Sequence, residues 1–60
     1  MTLEYKCKAI RQFYKISQSR LARMIPGTTQ TEISFIENGF IPRKQHVTDK
    51  INEMWEEINA

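Results

Sequence analysis

The stretch PGTTQTEISFIENG, Pro26 to Gly39, decides the fold. It opens on Pro26-Gly27. Proline cannot continue a helix, and glycine accepts the left-handed backbone with which helices often end. Thr29 then starts a new helix. Glu32 stands three residues later, the spacing of a capping box, in which cap and third residue satisfy each other's orphan N–H groups. Ile33 and Ile36 supply an apolar face, and Gly39 stops the helix. The element so framed covers 29–38. Its other face, Gln30, Thr31, Ser34, Phe35 and Asn38, is mostly polar and uncharged. So short a helix is marginal alone, because isolated helices below about 12 residues barely form in water. It must lean on a neighbour.

That neighbour lies just upstream. Ser17 is a good N-cap, and Leu21, Ala22 and Ile25 form an apolar stripe. Only Pro26, Gly27 and Thr28 connect the two segments, which spells two short helices across a tight glycine turn. Further out, Leu3, Cys7, Ile10 and Tyr14 are spaced four, three and four, one stripe of a first helix. After the short loop Phe40-Ile41-Pro42, a last helix starting near Pro42 carries Val47, Ile51, Met54, Trp55 and Ile58, with Trp55 read as core. No segment alternates as a strand would. The reading is an all-α, compact four-helix domain with room for a rudimentary fifth helix.

The chain has 60 residues, enough for one domain, residues 1–60. A domain of about that size buries only about 60% of its unfolded surface. With 40% hydrophobic and 27% charged residues the composition is globular. No apolar run approaches the roughly 20 residues of a membrane span, and Met1 to Ile10 has the form of no signal peptide. A cytoplasmic protein without membrane partners is expected. The single Cys7 reads as a small buried hydrophobe rather than a reactive thiol. His46 lacks partners at metal-ligand spacing and reads as a surface residue. No residue pair or glycine-rich loop suggests catalysis, a cofactor or a small-molecule substrate.

The net charge of +2 is unevenly spread. Up to Lys44, eight basic residues stand against Glu4, Glu32 and Glu37, a net +5. From Gln45 onward Lys50 stands against Asp49, Glu53, Glu56 and Glu57, a net −3. One part of the molecule suits a polyanion, and the other is repelled by it.

In the ordered set Arg11, Ser17-Gln18, Leu21-Ala22, Gly27, Ile33, Ile36 and Glu37-Asn38-Gly39, the chain resembles the Cro/repressor (XRE-like) helix-turn-helix proteins of phages and bacteria. The likeness covers roughly Leu3 to Ile58. It implies a lambda-repressor-like fold that binds double-stranded DNA, with helix 29–38 in the major groove. Two departures stand out. Ala22 and Gly27 are five apart where the family usually has four, so Pro26 reads as an insertion. Phe35 occupies a position usually polar.

The resemblance places Gln30 and Thr31 over base edges, where glutamine can pair with adenine through two bonds. Ser34 lies on the same exposed side. Phe35 has three open readings: a thymine methyl, the core, or another protein. Gln18, Arg20, Arg23, Thr29, Asn38, Arg43 and Lys44 are the expected phosphate ligands; such contacts position a protein without reading sequence. Glu32 reads as a cap. Arg11 and Glu37 are expected to form a structural salt bridge between the first and third helices. Tyr5, Phe13, Phe40, Met24 and Ile41 are surplus apolar groups that suit a second protomer; with no separate dimerisation domain, a weak homodimer or a monomer in solution is expected, with a dimer assembled on DNA. The rival reading is a protein-interaction module on the same scaffold, of antirepressor or antitoxin-partner type.

Overall fold

A computed structural model describes residues 1–60. Four helices follow in order: α1 (Leu3–Tyr14), α2 (Gln18–Met24), α3 (Gln30–Glu37) and α4 (Gln45–Ile58). There is no strand and no fifth helix. Helix α1 packs against both α3 and α4, and α2 packs against α3. The longest helix has 14 residues, and none is long and apolar enough to cross a membrane.

The caps explain the boundaries. The Thr2 hydroxyl accepts from the Tyr5 N–H at 3.1 Å and starts α1. Ser17 accepts from Arg20 N–H at 3.1 Å, and Thr29 from Glu32 N–H at 3.3 Å. At α3 the capping box is altered. Glu32 accepts a hydrogen bond from the Thr29 hydroxyl at 3.4 Å, so its carboxylate braces the cap's side chain. Lys44 caps α4 without any side-chain bond, and α4 begins at Gln45, later than the proline suggests.

The end of α3 is a Schellman turn. Gly39 N–H donates to Ile36 O and Phe40 N–H to Phe35 O, both at 3.0 Å, with Gly39 at φ +100°. The apolar contact that accompanies this motif is here aromatic, with the Phe35 and Phe40 rings 5.6 Å apart. Helix α1 also ends on a left-handed residue, with the Lys15 and Ile16 N–H groups both donating to Arg11 O, the latter at 3.0 Å. The left-handed residue there is Lys15, at φ 55°, ψ 51°. An L-residue pays about 1–2 kcal/mol for that conformation, which glycine adopts freely.

Cys7, Ile10, Leu21, Ala22, Ile25, Ile33, Ile36, Val47, Ile51 and Met54 form the buried core. Leu3, Ile16, Trp55 and Ile58 cover its edges. Two sequence expectations are corrected. Tyr14 completes the α1 stripe by spacing but lies exposed, its ring edge-on to Phe13 at 5.0 Å, because the helix breaks at the next residue. Trp55 is half-buried rather than core, and Tyr5 covers it edge-on at 5.6 Å.

Candidate nucleic-acid interface

The junction of α1, α2 and α3 is organised by one buried charge. Glu37, 6% exposed, sits in the last turn of α3. Arg11 Nη1 donates to both its oxygens, at 2.8 and 3.0 Å. The expected salt bridge is thus present, tying α1 to α3. A third donor, Gln18 Nε2, reaches Glu37 Oε1 at 3.1 Å. Gln18 Oε1 in turn accepts from Gln30 Nε2 at 2.9 Å.

The order of this chain has a chemical cause. An ionised carboxylate only accepts, so Gln18 must turn its NH₂ toward Glu37. Its oxygen is then left facing Gln30, which must present its own NH₂. The Arg11–Glu37 charge pair therefore sets the amide orientation of an exposed residue on the first turn of α3. Gln30 keeps one amide hydrogen and its carbonyl oxygen unused, a donor beside an acceptor on an exposed tip.

Around Gln30 the other expected residues divide. Thr31 and Phe35 are exposed and Ser34 half-buried. Arg20, Arg23 and Arg43 are exposed. Asn38 spends its amide on the Ser34 carbonyl at 2.7 Å, closing the end of α3. Thr29 is occupied as the cap. Lys44 is engaged as well: its Nζ donates to Gly27 O at 2.8 Å and lies 4.0 Å from Glu32.

Lys44 belongs to a contact invisible in the sequence. His46 Nε2 lies 2.7 Å from Pro26 O, so the start of α4 clasps the α2–α3 turn at two successive carbonyls. Since a carbonyl only accepts, Nε2 carries the proton. Gly27, at φ +77°, completes the fit: a Cβ there would meet the His46 ring at 3.4 Å. His46 is a surface histidine, as expected, but a bonded one. Only the long sequence separation hides the pairing, since no local pattern links residue 46 to residue 26.

A concavity lies beside α3. About 580 Å³ in volume, it is walled by Phe35, Ile36, Phe40, Ile41 and Pro42, with Glu32 at one side and Arg43 and Lys44 also on its rim. Phe35 thus stays out of the core and leans on Phe40. Compared with known proteins, the chain matches no family model, no curated protein and no solved structure.

Proposed function

We propose that the protein is a sequence-specific, double-stranded DNA-binding regulator of transcription, of the helix-turn-helix, XRE-like kind, acting as a repressor in the cytoplasm of a bacterium or on behalf of a phage or mobile element. Helix α3 enters the major groove. The observation that carries this reading is the oriented Gln30 amide. Two hydrogen bonds back to a buried ion pair hold it on the exposed first turn of a helix, its free donor and acceptor side by side. Adenine presents the complementary pair in the major groove, and a good bidentate contact is worth about 1–3 kcal/mol of discrimination. Arg20, Arg23 and Arg43 supply phosphate contacts, and a weak dimer forms on the duplex.

The apolar groove of Phe35, Phe40 and Ile41 favours a second reading, a protein-interaction module on the same scaffold. Gln30→Ala and Arg43→Ala separate the two. On a preferred site selected from random DNA, Gln30→Ala should lose about 1–3 kcal/mol, relax the preference at one base pair and keep the salt slope. Arg43→Ala should weaken all duplexes alike and lower the salt slope by about one unit. The check is a titration on selected and scrambled duplexes at several salt concentrations. Equal losses from Gln30→Ala on both duplexes would move the second reading ahead.

A further inference from the structure

Lys15 is the only residue other than glycine with positive φ. It links α1 to the Ser17 cap of α2, a junction where glycine would fit without strain. A strained residue persists where the surrounding structure holds it, and such positions cluster at functional sites. The Lys15 side chain offers the fold nothing in return. It makes no ion pair and no hydrogen bond, a freedom it shares with Arg20, Arg23 and Arg43, whereas Lys6 binds Asn52, Lys8 Glu4, Arg11 Glu37, Lys44 the turn and Lys50 Glu53.

Lys15 borders a cleft of about 450 Å³ with Lys8, Arg11, Gln12, Ile16 and Glu37. Three cations thus face one carboxylate, and that carboxylate is already engaged by Arg11 and Gln18. A buried donor, Arg11 Nε, has no partner in the protein. The cleft adjoins the proposed DNA-reading surface, since Glu37 on its wall is the charge from which the Gln18 and Gln30 amides are oriented.

We infer that this cleft seats a backbone phosphate of the bound duplex, with Lys15 as its principal ligand and Lys8 and Gln12 beside it. Arg11 keeps its structural pair with Glu37. The inference rests on the DNA-binding reading and extends the footprint from α3 onto the face of α1. It gives Lys15 a reason to stand where glycine would be more stable: the charge serves binding at the expense of the fold.

That trade makes the test unusual, because stability and binding move in opposite directions. Lys15→Gly should raise Tm, since glycine relieves the left-handed strain. The same variant should bind duplex DNA roughly tenfold more weakly at about 50 mM salt, with a salt slope smaller by about 0.9. Lys15→Arg, which keeps the charge, should keep the wild-type slope. Lys50→Gln, on α4, should leave binding unchanged. A Lys15→Gly protein with raised Tm and unchanged slope would overturn the phosphate site while leaving the DNA reading intact. A lowered Tm would also overturn it, by removing the strain on which it stands. If the wild-type chain shows no salt-dependent duplex binding, both fall together.

Discussion

At the scale of single residues, Glu37 governs the most. Its carboxylate is nearly removed from water, and an uncompensated charge so placed is costly. Losing one partner of a buried pair costs roughly 3–5 kcal/mol, and Arg11, 28% exposed, places this pair toward the lower end. The same carboxylate acts on Cys7. Burial, first, and then Glu37, by its charge and its acceptor oxygen, push the thiol pKa up from 9.0 to about 12, while Arg11 pulls it down. The sign follows from linkage. The unfolded thiol ionises near 9 and the folded one near 12, so the thiol's contribution to stability is whole below pH 9. It is lost as pH rises through that window, at up to about 1.4 kcal/mol per unit. Chemical denaturation of wild type and Cys7→Ala between pH 8 and 11 isolates this from other titrations. The difference in stability between the two should shrink, or reverse in favour of alanine, as pH rises. A constant difference would mean that the folded thiol ionises as readily as the unfolded one. At this scale the sequence was half legible. Arg11 and Glu37 pair as the resemblance implied, and Cys7 is buried, but the link from Glu37 through Gln18 to Gln30 depends on α2 docking against both ends of α3, which no local spacing encodes.

At the scale of elements, punctuation carried most of the fold. Thr29 and Gly39 frame α3 as read, because a cap and a Schellman turn are satisfied by neighbours within a few residues. Tyr14 was misplaced because helical spacing alone does not reveal where a helix breaks, and Lys15 gives no compositional sign of left-handed backbone. The clasp on the α2–α3 turn was illegible for the opposite reason: its partners are 20 and 17 residues apart. It ties down the turn that Pro26 and Gly27 form. The carbonyls of Pro26 and Gly27 lie outside any helix, and His46 and Lys44 supply their donors. His46→Ala should therefore cost about 1 kcal/mol in thermal or denaturant unfolding. His46→Gln, whose amide carries a donor at similar reach, should recover most of it. Equal losses from both variants would show that ring packing on Gly27, rather than the bond to Pro26, is what matters.

At the scale of the whole molecule, charge distribution is the property that outlasts any single contact. The net +5 up to Lys44 covers α1, α2, α3 and the segments that follow α1 and α3, and the net −3 beyond it falls on α4. The segregation was readable from the sequence, but its consequence depends on size, which is not. The molecule spans 27 × 20 × 20 Å. The screening length is about 30 Å at 0.01 M salt and about 8 Å at 0.15 M. The acidic helix therefore repels a bound polyanion at low salt and is screened from it at physiological salt. Two unit charges about 20 Å apart in water interact by about 0.2 kcal/mol. On the DNA-binding reading, Glu56 and Glu57 together, each interacting with several phosphates across about 20 Å, oppose binding by roughly 1 kcal/mol at low salt. The double variant Glu56→Gln, Glu57→Gln should bind every duplex severalfold more tightly near 0.01 M salt, mainly through faster association, and match wild type near 0.15 M. Its preference among DNA sequences should not change, since neither residue belongs to the α3 surface. Stopped-flow association with a selected and a scrambled duplex at both salt concentrations checks this. A gain that persists at 0.15 M would mean that α4 lies within direct reach of the DNA. The duplex would then dock on a different face from the one that carries Gln30.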